Sequence, residues 1–304
     1  MDKEYSISLC ARIGSIIAEK NPVIDYTDEE VAEEMAAYSP DELAEMEELG
    51  LIGKGGFEEF YILREFCARL GLPSVDDDGA LTYELLRHGR MLSADEFEGD
   101  EYIKNIKITE TRRGNILLTT ASYDRGEILQ YDMPDLDSRV AALRLGFFQR
   151  RVTFPAIYEG NTPWVSVCPS EINSMGPKTA GAKGRVLVLG LGLGYYPYLI
   201  SKLPEVESIT VVEISPDVKS IFEDVILPQF EHRGKISVVL GDAIEFMKTV
   251  RAGEYDFCFA DIWEGAVDGA RAYTQIKPHE KRLPSTEFSY WIEDEILRYL
   301  EDNG

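Results

Sequence analysis

Between Asn105 and Asp132 apolar and polar side chains alternate with a period of two. "NIKITET", "NILLTTA" and "EILQYD" are separated by the turn signals "RRGN" and "YDRGE". That pattern predicts a three-stranded β-meander. Upstream the period is helical. "TDEEVAEEM" opens with Thr27 and Glu30 in capping-box spacing, and "SPDELAEMEELG" has Ser39 as cap, Pro40 in the first turn and Gly50 as stop. "FEEFYILREFCARLGL" sets Phe60, Leu63, Cys67 and Leu70 on one face. "MPDLDSRVAALRLGFF" restarts a helical pattern, which places the main boundary near residue 135, between regions 1–134 and 135–304.

After the Gly/Lys-rich linker "GPKTAGAKG" the pattern changes again. Apolar runs at 185–189, 208–213, 236–240 and 256–261 alternate with helical stretches at 195–203, 216–226 and 243–251. A loop over 262–284 and a helix over about 286–301 close the chain. This order predicts an α/β, Rossmann-like domain with a mainly parallel sheet, which binds its ligand beyond the strands' C-terminal ends. The chain ends one helix after the fourth strand, so a sheet cut short there is expected. Its apolar edge "DFCFAD" then needs cover from residues 150–168, from the meander or from a second subunit, which makes a homodimer an expectation.

The chemistry begins at "GRVLVLGLGLGYYPYLI". A strand buried on both faces runs into Gly190, Gly192 and Gly194, which lack a Cβ and allow a tight turn with a ligand against bare backbone. The dinucleotide fingerprint would put a third glycine at Tyr195, so the spacing is GxGxG instead. Glu213 stands at the tip of the second strand, where a carboxylate can accept from two ribose hydroxyls. Asp242 follows the third strand beside Ala243, and Asp261 ends the fourth. Glu171 and Met175, in "CPSEINSM", precede the first strand and are further candidates for ligand contact.

This order resembles the class I S-adenosylmethionine-dependent methyltransferases. "GDAIEFMKTVRAGEYDFCFAD" and a meander ahead of the cofactor domain are similar to the spermidine synthase-like branch. The resemblance covers residues 160–262. It implies that Gly190, Gly192, Gly194, Tyr195, Glu213, Ile214, Asp242, Ala243 and Asp261 bind S-adenosylmethionine, leaving S-adenosylhomocysteine as product. It implies that Asp261 helps deprotonate an attacking amine; in this chain Asp261 or Glu264 is expected to orient or deprotonate the acceptor. Ile262, Trp263 and Glu264 depart from that branch's Asp-rich, Pro-containing loop, which favours methyl over aminopropyl transfer. The loop 262–284 has the length of a substrate lid. Trp263, Glu264, Asp268, Tyr273 and His279 are its candidate substrate contacts, with Trp263 and Tyr273 as an aromatic wall for a cation.

Charge narrows the partners. The 304 residues carry a formal charge of −24, and residues 1–100 hold 25 acidic against 8 basic side chains. Such a surface repels a phosphate backbone, so no nucleic-acid partner is expected. Cys10, Cys67, Cys168 and Cys258 form no CxxC pair and read as reduced thiols of a cytoplasmic protein. His88, His232 and His279 share no ligand spacing, so no metal is expected. No apolar run is long enough for a membrane span. The expected function is methyl transfer to a small, cationic or amine-bearing acceptor. The alternatives are a spermidine synthase-like aminopropyltransferase and a non-catalytic cofactor-binding or scaffold protein.

Overall fold

The computed structural model describes residues 3–19, 21–75, 79–135 and 139–303. In chain order, helices α1 (Lys3–Glu19), α2 (Asp28–Met35), α3 (Pro40–Glu48), α4 (Gly56–Arg69) and α5 (Ala80–His88) precede strand β1 (Arg90–Leu92). Short helices α6 (Ala94–Glu98) and α7 (Glu101–Asn105) lead to strands β2 (Thr111–Arg113), β3 (Ile116–Tyr123) and β4 (Leu129–Asp135). Strands β5 (Ala142–Phe148), β6 (Val152–Glu159) and β7 (Thr162–Ser166) follow, then α8 (Pro169–Met175). The remainder alternates: β8 (Gly184–Leu189), α9 (Tyr195–Ser201), β9 (Val206–Glu213), α10 (Pro216–Ile221), β10 (Ile236–Leu240), α11 (Ala243–Thr249) and β11 (Phe257–Ala260). Helices α12 (Ala266–Ile276) and α13 (His279–Arg282), strand β12 (Glu287–Tyr290) and helix α14 (Glu293–Asn303) complete it.

The chain divides into two compact units. The first comprises residues 1–99, 122–153 and 168–170, the second 100–121, 154–167 and 171–304. Residue 135 therefore lies inside the first unit, because β4 and β5 pair antiparallel on either side of it. In this unit both capping boxes form: the Thr27 amide donates to Glu30 Oε2 at 2.7 Å, and the Ser39 amide to Glu42 Oε2 at 2.7 Å. Helix α4 buries Phe60, Leu63, Phe66 and Cys67 in a core shared with Leu81, Leu145 and Phe147. Two sequence expectations fail here. Residues 142–148 are a strand rather than a helix, for "ALRLGFF" is apolar on both faces and has no period to read. The meander does not form either: β4 joins β5 and β1, whereas β3 joins β2 and β6. Residues 101–105, which include the start of its first expected strand, are helix α7, capped by Asp100 through the amides of Tyr102 and Ile103.

The second unit holds a parallel sheet in the order β10-β9-β8-β11-β12. All four register-paired strand junctions are parallel. Strand β8 buries Val186, Leu187, Val188 and Leu189, so both of its faces are covered, and Val186 and Val188 join the core that holds Phe222, Phe257 and Phe259. The sheet is not cut short at β11. Residues 287–290, expected to open the final helix, form a fifth strand beside β11, with Phe257 opposite Glu287 and Ala260 opposite Tyr290. The edge "DFCFAD" is thus covered from within the unit, without need of a second subunit. The expected lid loop is also absent: α12 and α13 occupy most of 262–284. Helix α12 turns Gly269, Ala270, Tyr273 and Ile276 inward at helical spacing. Small residues at two of these positions hide the stripe from a hydrophobic pattern.

Candidate functional site

The site is built where β8 stops. Gly190, Gly192 and Gly194 all have positive φ (97°, 51° and 74°), which L side chains rarely adopt. Each is also tied to a neighbour. A β-carbon on Gly190 would stand 1.9 Å from the Asp261 carbonyl oxygen, and one on Gly194 would stand 2.2 Å from the Phe222 ring. At Gly192 the nearest atom is a Val165 methyl at 3.4 Å. The turn is thus packed against the end of β11 and against the π-helical turn 222–226 that carries Phe222.

Two groups that the sequence reading missed fix this turn from beneath. The hydroxyl of Tyr102, fully buried on α7, donates to the Leu193 carbonyl. Tyr195 does not present its ring to a ligand. Its hydroxyl donates to Asp100 Oδ2 at 3.1 Å and its ring meets Tyr102 edge-on at 5.5 Å. Burial and the Asp100 carboxylate push the Tyr195 phenol far above its ordinary value. No motif spacing flags Asp100 or Tyr102; the only signal was an Asp in N-cap position before a short helix.

Glu213 closes the turn from the side. Its carboxylate, 6% exposed, accepts from the Leu191 amide at 3.2 Å and the Ser215 amide at 2.7 Å. Burial still raises its pKa, against those hydrogen bonds. A carboxylate has about four lone-pair sites, so two hydroxyl donors can still be accepted. Beside it Ile214 is 64% exposed and Leu240, register-paired with Glu213, is 51% exposed. Asp242 caps α11 through one oxygen, Oδ1, which accepts from Ile244 and Glu245. Its Oδ2 accepts no hydrogen bond within the described residues, and Ala243 beside it is buried.

Asp261 ends β11, its amide donating to the Leu189 carbonyl at 2.9 Å. Its carboxylate is partly buried and accepts no hydrogen bond within the described residues. Burial raises its pKa well above the usual carboxylate range, and the charge of Glu171 on α8 raises it further. Burial likewise lifts Glu171 to about 7. The site therefore holds two acids that resist ionising together.

The expected lid residues fall elsewhere. Trp263 is 7% exposed, packed against Gly269 with its indole N–H buried and unbonded. Asp268 caps α12, accepting from the amides of Glu264 and Gly265 at 2.9 and 3.0 Å. Tyr273 is buried against Tyr290 and donates to Glu293 at 2.7 Å. His279 meets Arg282, and Met175 lies in the core. The aromatic wall expected from Trp263 and Tyr273 is therefore packing, because α12 covers Trp263 with Gly269 and turns its own Tyr273 inward against Tyr290. Glu264 is exposed, and only its amide is engaged.

A parallel sheet with a glycine turn after its central strand and acids at the tips of the next strands defines a Rossmann-like fold of the methyltransferase type. Residues 169–276 match the spermine/spermidine synthase domain. Over 80 residues, a quarter of this chain, it is 32% identical to putrescine N-methyltransferase 1 of Nicotiana tabacum and to that of Nicotiana attenuata. The chain spans about a fifth of the length of these curated relatives, 21% and 20%. The solved structure of spermidine synthase from Thermotoga maritima aligns over 46% of this chain and 53% of its own, with 13% identity and a TM-score of 0.33.

Proposed function

We propose that this protein transfers a methyl group from S-adenosylmethionine to a small amine acceptor of the polyamine type. The observation that carries this reading is Asp261: a partly buried carboxylate at the tip of β11 that accepts no hydrogen bond among the described residues and is held toward protonation by burial and by Glu171. A cationic amine is the partner that would relieve both acids. The likeness of residues 169–276 to spermine/spermidine synthase domains and the short likeness to putrescine N-methyltransferases support an amine acceptor.

The residues present fit the cofactor. Glu213 is already oriented by two amides and can accept from ribose hydroxyls. Ile214 and Leu240 offer exposed apolar surface for the adenine, and Asp242 Oδ2 offers a free acceptor. When bound, the cofactor would supply an electrophilic methyl carbon on a sulfonium. The chain's own part is then to hold the acceptor's ammonium at Asp261, take up its proton there and orient the free amine. Glu264 is an outer acid near the same strand end.

Aminopropyl transfer is the second reading, favoured by the domain match. Calorimetric titration with S-adenosylmethionine, S-adenosylhomocysteine, decarboxylated S-adenosylmethionine and NAD separates the readings, followed by turnover on a diamine panel. Tight binding of the first two with methylated diamine as product is expected. Preference for the decarboxylated form would replace methyl by aminopropyl transfer. Tight binding without turnover would leave a cofactor-binding protein, and no binding would sink the reading.

A further inference from the structure

Glu171 of the acid pair sits on α8, a helix of seven residues that anchors Met175 in the core and packs Ile172 against it. A hydrogen-bonded path holds it as well. Trp291, the residue after β12, donates its amide to the Ala260 carbonyl at 3.0 Å, so its backbone extends the ladder beside the residue preceding Asp261. Its indole Nε1 donates to Ser174 Oγ at 3.0 Å. The same Ser174 hydroxyl donates to the Glu171 carbonyl at 3.2 Å, one turn back on α8. A continuous hydrogen-bonded path thus runs from the strand tip carrying Asp261, through Trp291 and Ser174, to the residue bearing the second acid.

The next residue makes that path costly to build. Ile292 has a φ of 46°, the one non-glycine residue with positive φ among the described residues. A β-branched side chain rarely accepts that conformation. It persists because Ile292 is buried and its carbonyl accepts from the Ile296 amide at 3.1 Å, opening α14. Strain of this kind is kept where the surrounding structure over-determines it, commonly at sites. Here it lies immediately after Trp291, where the chain passes from β12 into α14.

We propose that Trp291 is a positioning residue for the reaction at Asp261: through Ser174 it holds the helix that keeps Glu171 beside the tip of β11. Trp291 touches neither reacting atom in this role; it acts through Ser174 and Glu171. The inference rests on the proposed transfer reaction. Among the described residues Tyr195 also lies close to Glu171, and it is itself engaged with Asp100.

The test uses the full chain and two kinds of readout. Trp291→Phe keeps an aromatic ring and removes the indole N–H; Ser174→Ala removes the hydroxyl, and Ser174→Thr restores one. Titration of the acid pair is followed by carboxylate infrared difference spectra, with Glu171→Gln assigning the Glu171 band. In Trp291→Phe and Ser174→Ala the Asp261 titration should move toward the ordinary carboxylate range, and Ser174→Thr should restore it. Turnover should fall at least about tenfold with little change in KM for S-adenosylmethionine, as expected of a misplaced group. The double variant should be no worse than either single one. Folded variants whose pair titrates as in the unsubstituted protein would overturn the positioning role, whatever their turnover. Should Trp291→Phe not fold, Ser174→Ala decides by the same criterion. Failure of the functional reading shows separately, as absence of turnover in the unsubstituted protein with the titration shifts still present.

Discussion

A β-carbon on Gly190 would stand 1.9 Å from the carbonyl oxygen of Asp261. The turn after the first strand of the parallel sheet in the second unit and the acid at the tip of the fourth are in backbone contact, and only glycine permits it. Gly190→Ala should therefore unfold at a clearly lower urea midpoint. The left-handed φ alone costs about 1–3 kcal/mol, and the obstacle is main chain that cannot rotate away. Gly194→Ala meets the edge of the Phe222 ring instead and should cost less. Equal midpoints for Gly190→Ala and the unsubstituted protein would refute the packing argument.

Glu213 is buried and already accepts two amides, so its removal acts on the turn and on the ligand together. Glu213→Ala should weaken S-adenosylmethionine binding by at least about tenfold, since hydrogen bonds to a charged acceptor contribute about 1.5–3 kcal/mol. Calorimetry measures this directly. Unchanged affinity would remove Glu213 from the cofactor's contacts.

The acids Glu171 and Asp261 give the free protein a pH signature. Both have folded pKa values raised above their unfolded ones. Their protonated forms are therefore favoured by folding. Their contribution to stability should be fully present below the ordinary carboxylate pKa and be lost as pH rises through about 7, the value to which burial lifts Glu171. Thermal melts across this range should show Glu171→Gln losing less stability than the unsubstituted protein. Parallel curves would contradict the coupling.

Binding of a cationic diamine should reverse the shift, because an ammonium favours the ionised carboxylates. Protons should leave on binding, and affinity should rise with pH from the ordinary carboxylate range to about 7. Calorimetry in buffers of different ionisation enthalpy counts the protons. Uptake of protons, or none exchanged, would exclude the pair as the ammonium site.

Tyr102 holds the glycine turn from α7 through its hydrogen bond to the Leu193 carbonyl. Tyr102→Phe leaves that carbonyl without its donor and should destabilise the protein by about 1–3 kcal/mol. The ligand-binding turn should loosen with it, seen as faster amide exchange over 190–194. Exchange at the native rate would mean the turn is held by its glycine packing alone.

Local order made part of this structure legible. Strands 185–189 and 236–240, the capping box at Thr27 and the cap at Ser39 were readable because strands and caps are written in adjacent residues. The glycine turn was readable for the same reason, and so were the acids that follow β9, β10 and β11. What failed had no local signature. "ALRLGFF" is too uniformly buried, and "EFSY" too short, for a period to separate strand from helix, so β5 and β12 emerged only from the partners they pair with. The meander misled because alternation predicts a strand but not which sheet it joins.

The sequence by itself determined the parallel sheet, the glycine turn and the order of Glu213, Asp242 and Asp261 along it, because each is a property of one strand and the turn after it. Only the tertiary structure decided which side chains meet. It brought Glu171 to Asp261 from ninety residues away. It turned Tyr195 inward onto Asp100 and folded α12 over Trp263. It also joined Trp291 to Ser174 across 117 positions. Such pairings depend on packing between elements, where burial and hydrogen-bond satisfaction act on distant residues together, and no window along the chain contains both partners.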